Sequence, residues 1–548
     1  MTGAPEEGRA SIRPRDSRLE CDYLVIGGGT AGCVVAGRLA ADPARRVILL
    51  EAGPPDDDMV LRIPGALALT ATAPRFNWSM HTEAEPEMGG RQLLLSQARV
   101  LGGGSSINGM VYTRGQPWDY DHWSQLGATG WSWNEVLPFF RKTEANERGA
   151  NPWHGADGPL GISRGRATLD ICEPFLEACA ALGIHTVDDL NAGDCDGVGY
   201  YDTFVHAARR SSSARAFLRP APANLSVVTG AQATRILIEA GTARGCEYLH
   251  QGQRLQVRAA AEVVLCAGAI RSPQLLMLSG VGRAETLHAL GLAVQADSAE
   301  VGANLQNHVA YKMTWTCTRP ITAYRYMNPW RAIGSGLEYF LLKRGYLAHA
   351  ATPLGGYYRS DPSLREPDLQ FFMNPAVVGR LDQGLRKLLP REHGFSVFVN
   401  QGRPWSRGEV RLASADPLAQ PRVHGRYFSD KRDLDVLVQA ADMMRGIAAR
   451  QPLAPLVGKE LLPGDGVRSR AELEAHVRAN ASNHWHVAGT CRMGSDADAV
   501  VDPRLKVRGV DGLRVADASV MPTLINGNTA APVIMIAEKA ADMIAADA

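Results

Sequence analysis

The first clear pattern is an unbroken apolar run, Tyr23 to Ile26, then a cluster of glycines, then an apolar segment from about Ala31 to Ala41. A second short apolar run, Val47 to Leu50, follows. Short continuous apolar runs read as strands buried on both faces, and the longer stretch between them as a helix. The spacing therefore predicts a βαβ unit that ends in Glu51. Farther on, "AEVVLCAGAIRSPQLLMLSGVG" reads as another strand and turn. From about Val309 to Asn480 the pattern changes: "LQFFMNP" and "HGFSVFVN" suggest antiparallel strands, and "RDLDVLVQAADMMRGIAAR" a helix between them. The C-terminal "NTAAPVIMIAEKAADMIAADA" reads as a helix that opens on small residues. No repeat or low-complexity tract interrupts the chain.

At 548 residues the chain is too long for one simple core, so two domains or one interrupted domain are expected. A hydrophobic share of 45% and a charged share of 21% are ordinary for a globular protein. A net charge of +1 gives no electrostatic reason to expect nucleic acid or an anionic membrane as a partner. The nine cysteines are odd in number, irregular in spacing and contain no CxxC, which predicts free thiols in a reducing compartment. Residues 1–19 are charged and have no apolar core of a secretory signal, so they are read as a flexible tail. No apolar stretch approaches the roughly 18 residues that span a bilayer, and a cytoplasmic location is expected.

Gly27, Gly29 and Gly32 form GxGxxG after the first strand and at the opening of the helix. Such glycines permit a tight turn, close approach of backbone to a pyrophosphate and helix–strand packing, with the helix amides facing the phosphates. Glu51, at the end of the second strand, can accept hydrogen bonds from ribose hydroxyls and would repel a 2′-phosphate. FAD and NAD both satisfy this pattern. A second cluster, "ARVLGGGSSINGMVYTRGQPWDYDHW", places Asn108 after Gly102, Gly103, Gly104, Ser105 and Ser106, where small residues let a flat or phosphorylated ligand approach.

The stretch "NHWHVAGTCRMG", Asn483 to Gly494, carries two histidines around Trp485, with Cys491 nearby. In an extended chain His484 and His486 share a face and Trp485 takes the other. A zinc site, a general base and a buried structural pair all fit that spacing.

The glycine-rich cluster, "GAIRSPQLLMLSGVG" at Gly268, "HGADGPL" at His154, "VGANLQNH" ending at His308, "PWSRGEV" at Pro404, "HVAGTCRMG" at His486 and "LRVADASVMP" with "NGNTAAPVIMIAEKAADMI" occur in order along the chain. In these landmarks the sequence closely resembles the glucose–methanol–choline oxidoreductases, FAD-dependent alcohol oxidases and dehydrogenases. The resemblance implies an α/β fold, in which a Rossmann-like FAD-binding domain (20–165, 222–308 and 487–548) is interleaved with a substrate domain (166–221 and 309–486) built on an antiparallel sheet with flanking helices. It implies that Gly27, Gly29, Thr30, Ala31 and Gly32 hold the pyrophosphate, Glu51 the adenosine ribose, and Ala233 the adenine. Asn108, Gly109, Met110 and Val111 would line the flavin, and Ala52, Arg99, Gly103, Asp517, Ala518, Thr529 and Ala530 would complete the shell. Trp78 is similar to an aromatic residue placed near the cofactor.

Ile107 stands where some members tether the flavin through histidine, so the FAD is expected to be non-covalent. Asn307 replaces the acid of the usual NLQDH, with a small structural effect expected. His486 matches the catalytic base and Asn528 the second active-site position, which orients the substrate oxygen. Hydride transfer to flavin N5 requires alkoxide character on that oxygen, and a histidine with a pKa near neutrality supplies the base. No metal is expected, and Cys491 is a packed thiol. His484, Trp485 and Met373 are expected to border the substrate, in the region of Phe371 and Phe372. The expected reaction is oxidation of a primary alcohol, aromatic or medium-chain, with oxygen or a quinone as electron acceptor. A non-redox lyase of the hydroxynitrile type and a light-driven fatty-acid decarboxylase share the fold as alternatives, and a flavin-binding sensor is a third.

Overall fold

Two seven-stranded sheets carry the fold. The computed structural model describes residues 18–193, 195–379 and 392–548. In the first sheet Leu225–Thr229, Val47–Glu51, Arg18–Ile26 and Gln253–Leu265 lie side by side and parallel. Tyr23–Ile26 pairs with Val47–Leu50 on one side and Glu262–Leu265 on the other. Val47–Glu51 is buried at every position. Central parallel strands covered on both faces have no polar face to show, which is why these segments read as unbroken apolar runs. On the far side of Gln253–Leu265 the strands Thr242–His250 and Ala231–Glu239 add an antiparallel meander, and Leu513–Val515 pairs in parallel with its end.

Two residues of the expected tail belong instead to the first strand. Arg18 and Leu19 already pair with Gln256 and Val257, because the partner strand extends far enough to recruit them. Residues 1–17 of the expected tail lie outside the described residues.

Helix Thr30–Leu39 and the C-terminal helix Ala530–Asp547 pack on each other. The buried Glu538 carboxylate joins them to a third helix, with Arg38 at 2.7 Å and Lys142 at 2.9 Å. The segment read as strand and turn after Gln253 continues into a helix, Gly268–Leu278, despite an internal Pro273. Proline cannot bond the carbonyl four residues back. Here the Thr490 hydroxyl donates to that carbonyl, of Ala269, at 2.6 Å. A residue more than two hundred positions away thus satisfies the carbonyl that the proline leaves open.

The second sheet is antiparallel, in the order Val457–Leu462, Val309–Cys317, Gly394–Gln401, Leu369–Asn374, Leu354–Tyr358, Val198–Tyr200, with Ser482–Asn483 against the start of Val309–Cys317. Side chains alternate between its faces. Leu369, Phe371, Met373, Phe395, Val397 and Val399 join one core with helix Lys431–Ala448. Gln370, Phe372, Phe398 and Asn400 take the other face.

Candidate active site

The position of the histidines follows from this second sheet. Val309 pairs with Asn483, so His308 and His484 leave the sheet side by side, and the His484 amide donates to the His308 carbonyl at 2.9 Å. Trp485 then adopts a left-handed backbone (φ 62°). Its indole turns away and donates to the Leu94 carbonyl at 2.9 Å. The His484 and His486 rings are left 6.0 Å apart.

The proton positions around His486 follow from its partners. His308 Nε2 lies 2.9 Å from the Gly402 carbonyl and 3.1 Å from that of Ile525. Two acceptors there require a proton on His308 Nε2, so in the neutral ring His308 Nδ1 is a lone pair. His486 Nδ1, 2.8 Å away, must donate to it. His486 Nε2 therefore carries a lone pair, directed to Asn528 Nδ2 at 3.2 Å. The Asn528 amide is oriented in turn. Gln370 Nε2 donates to its Oδ1 at 3.1 Å, and the Thr113 hydroxyl reaches the same oxygen at 3.4 Å while accepting the Asn528 amide at 2.9 Å. Each hydrogen bond agrees with the next, leaving one basic nitrogen beside one amide N–H donor.

Burial, with repulsion from His308 and His484, holds the His486 pKa well below the ordinary histidine value. Burial lowers His308 to about 4, and burial with repulsion from His308 lowers His484 to about 3. His486 is thus more strongly depressed than the near-neutral value expected from the sequence. No described carboxylate hydrogen-bonds any of the three rings, so desolvation decides. The group is a neutral imidazole at physiological pH, set to receive a proton rather than to give one.

Around this pair the wall is aromatic. His484 lies 5.7 Å from Phe372 and 5.9 Å from Phe398, and Tyr201 lies 5.5 Å from Phe372. Of the residues expected to border substrate, His484 takes its place in this wall. Met373 does not: one step along the strand from Phe372, it points into the opposite core. Trp485 is directed to Leu94.

Sequence reading assigned no role to His308, Thr113, Gln370 or Arg210. His308 closes the "VGANLQNH" landmark, which was the available signal; the others come together only through tertiary pairing. Asn307 does more than the small effect expected of it, because its Oδ1 accepts the His486 amide at 2.8 Å while its Nδ2 donates to the Tyr427 hydroxyl at 2.9 Å.

A second cleft lies at the ends of the parallel strands. Gly27, Gly29, Glu51, Ala52, Trp78, Gly103, Ala233 and Arg271 all border it. Thr30, Ala31 and Gly32 open the helix beside it. Gly27 has φ 101°, and a Cβ there would sit 2.5 Å from the Cys266 carbonyl oxygen, so the turn tolerates no side chain. Gly103 (φ 53°) brings its loop against Gly29, where a Cβ would fall 2.6 Å from the Gly29 Cα. Glu51 is buried with its Oε1 accepting the Gly53 amide at 2.7 Å; burial raises its carboxyl, and the Gly53 and Gly28 amides oppose that rise. Trp78 stacks under the Arg271 guanidinium at 3.9 Å and near that of Arg99 at 4.9 Å. The Nε atoms of both arginines are buried without a partner.

Between the clefts, Asn108 ends the short helix Gly104–Ile107, and its Oδ1 accepts the Met110 amide at 3.1 Å. Met110 is left-handed (φ 62°) and Val111 bridges to Thr203. Behind this turn the buried Arg210 donates to the carbonyls of Leu61, Ser105 and Asn108 and to Asn108 Oδ1, at 2.7–3.3 Å. It has no carboxylate among these partners, and burial lowers it to about 9. Asp517 spends its carboxylate on the Gly268 and Ser519 amides and the Ser272 hydroxyl, which locks Ala518 beside helix Gly268–Leu278. Thr529 and Ala530 begin the C-terminal helix next to Asn528. A dinucleotide fits this donor set: two glycine loops at a helix N-terminus, a carboxylate for ribose, unpartnered cationic nitrogens, and a second helix N-terminus beside the base.

Nine free cysteines are present, eight of them buried and Cys317 intermediate. Cys491 is buried and its thiol pKa is raised by that burial. Among the described residues the group that could gather on a metal ion is His154, Asp189 and Asp202. It already belongs to an ion-pair network, with His154 between Glu144 and Asp189 and Arg148 on Asp202 at 3.0 Å.

Comparison with known proteins gives the family. Family models described as GMC oxidoreductase match residues 21–310 and 404–537. The chain is 42% identical to human mitochondrial choline dehydrogenase over 540 residues, covering 96% of this chain and 90% of that protein. It is 38% identical to the oxygen-dependent choline dehydrogenase of Rhizobium etli (strain CIAT 652) over 531 residues, 96% of both chains. The crystal structure of pyridoxine 4-oxidase from Mesorbium loti superposes with a TM-score of 0.84 at 31% identity, covering 95% of this chain and 98% of that one. With both family models and these relatives in agreement, the chain belongs to the GMC (glucose–methanol–choline) family of FAD-dependent oxidoreductases acting on CH–OH donors.

Proposed function

We propose that the chain oxidises a small primary alcohol of the choline type to the aldehyde, with His486 as base and Asn528 orienting the hydroxyl. The single observation that carries this reading is the lone pair on His486 Nε2, 3.2 Å from Asn528 Nδ2. An alcohol oxygen placed at that pair donates its proton to His486 and accepts from Asn528, and it gains alkoxide character as its carbon gives up hydride. FAD, when bound, supplies the hydride acceptor. Gly27, Gly29, Glu51 and the Gly103–Val111 segment would hold it, and Ile107 offers no nucleophile for a covalent link.

Choline as the alcohol is supported by the two choline dehydrogenases that match nearly end to end. The aromatic wall of Tyr201, Phe372 and Phe398 suits a quaternary ammonium group, which aromatic faces attract. The same wall favours a second reading, an aromatic primary alcohol, and the likeness to pyridoxine 4-oxidase supports that reading. Oxygen and a quinone are both electron acceptors consistent with these relatives.

The deciding experiment mixes the purified holoenzyme anaerobically with choline, benzylic, aliphatic and sugar alcohols and follows bleaching of the flavin band near about 450 nm. Choline is expected to bleach it fastest. A benzylic alcohol as the best substrate establishes the second reading. No bleaching by any alcohol, with aldehyde or cyanohydrin turnover retained, would indicate the non-redox lyase.

A further inference from the structure

Helix Pro329–Leu342 is built against the usual plan of a surface helix, whose apolar stripe faces inward. Asn328 caps its start, accepting the Trp330 and Arg331 amides at 3.0 and 3.4 Å, and Lys343 ends it in a left-handed turn. Of its fourteen residues only Ser335 and Tyr339 are buried. Tyr339 ties it to the body of the protein by donating its hydroxyl to the Ala208 carbonyl at 3.1 Å. Trp330, Ile333, Leu337, Phe340 and Leu341 face outward, Trp330 being 80% and Leu341 75% exposed. At 3.6 residues per turn these five side chains occupy an arc of about 100°, opposite Ser335 and Tyr339.

This concentration is unlike ordinary surface scatter. Of the thirteen large apolar side chains exposed among the described residues, six lie on this one helix. The arc is flanked at the two ends of the helix by exposed cations: Arg331 in its first turn, and Lys343 and Arg344 just past its last. The helix's own carboxylate, Glu338, is taken up by Arg344 at 3.2 Å. Two copies meeting through this face would bring cations together without matching carboxylates. Anionic phosphates and acyl chains complement both the border and the arc. Beside Lys343 and Arg344 opens a cleft of about 670 Å³ that reaches Tyr201, whose ring belongs to the aromatic wall of the active site.

We propose that this helix lies flat on an anionic lipid surface, its apolar arc between the headgroups and its cations at the phosphates. Such a contact needs no membrane span, and no described helix is long and apolar enough to provide one. It also brings the mouth of the neighbouring cleft to the bilayer.

The test is flotation of the holoenzyme with vesicles of phosphatidylcholine alone or mixed with phosphatidylglycerol. Wild type is expected to float with the mixed vesicles and to be released by high salt. The double variant Leu337→Glu, Leu341→Glu is expected to lose at least about tenfold in partitioning, and Arg331→Glu with Lys343→Glu to lose its preference for phosphatidylglycerol. Alcohol oxidation with a soluble dye checks that both variants fold and is expected to be unchanged; this readout is independent of which alcohol is preferred. The proposal is overturned by a wild type that does not float, by equal binding to neutral vesicles, or by undiminished binding of the Leu337→Glu, Leu341→Glu variant. It is overturned equally by a vesicle-free dimer that this variant dissociates, which would identify the face as a contact between copies.

Discussion

His308 Nδ1 and His486 Nδ1 stand 2.8 Å apart, and because His308 uses its other nitrogen to donate to two carbonyls, the proton between the rings belongs to His486. In the proposed mechanism His308 is therefore a positioning residue: it selects the tautomer of His486 without itself facing Asn528. His308→Leu is expected to slow anaerobic flavin reduction at least about tenfold while FAD remains bound, since a free Nδ1–H leaves the His486 tautomer unselected. His308→Gln, whose amide carbonyl can accept the same proton, is expected to recover part of the rate. Equal rates for the two variants would show that His308 only fills space.

His486→Ala removes the proposed base and is expected to lower the rate of flavin reduction by about 10²-fold or more, with the flavin spectrum of the oxidised holoenzyme unchanged. Stopped-flow reduction by choline reads this directly. A variant with full activity would remove His486 from the mechanism.

Acid should destabilise the protein through the same cluster. His308, His484 and His486 all have folded pKa values below the ordinary 6.5. Below that value the unfolded chain binds protons that the folded one refuses. The stability present above pH 6.5 is thus lost as pH falls towards about 4 for His308 and about 3 for His484. At about pH 5 His308 and His484 each cost about 2 kcal/mol. Thermal melts should show a falling Tm from pH 6.5 downward, less steep in His484→Phe.

Arg210 satisfies the Leu61, Ser105 and Asn108 carbonyls from one buried guanidinium. Arg210→Met leaves those acceptors without a donor and is expected to cost about 2–4 kcal/mol and to weaken FAD retention, as measured by melting and by flavin released on dilution. Arg210→Lys keeps the charge but not the fork, and should recover only part of the loss.

Thr490→Val keeps shape but withdraws the hydroxyl from the Ala269 carbonyl that Pro273 leaves open. A loss of about 1–3 kcal/mol in denaturant unfolding is expected. A companion change, Pro273→Ala, restores the backbone donor and should make the threonine hydroxyl dispensable.

Much of this architecture could be read along the chain because its signals are local. The βαβ unit appears as apolar runs because its strands are covered on both faces, and GxGxxG with Glu51 is a contiguous device whose parts need only one another. The antiparallel strands around Phe371 and Phe395 and the helix Lys431–Ala448 were likewise visible as periodic patterns. His486 and Asn528 became candidates through landmark positions rather than through periodicity. Helix Gly268–Leu278 was missed in favour of a strand and turn; its internal Pro273 is accommodated only through distant Thr490.

What the sequence alone determined is the inventory: a dinucleotide turn, a histidine able to act as base, an asparagine to partner it, and thiols without disulfide spacing. Tertiary structure decided how that inventory works. Pairing of Val309 with Asn483 put His308 against His486, and the two carbonyls at His308 Nε2 then settled which nitrogen is basic. Strand alternation turned Phe372 towards the site and Met373 away, and the left-handed Trp485 carried its indole to Leu94. The physical reason is common to all three. Proton position, side-chain facing and backbone handedness depend on partners tens or hundreds of residues away, whereas local pattern records only which residues are available.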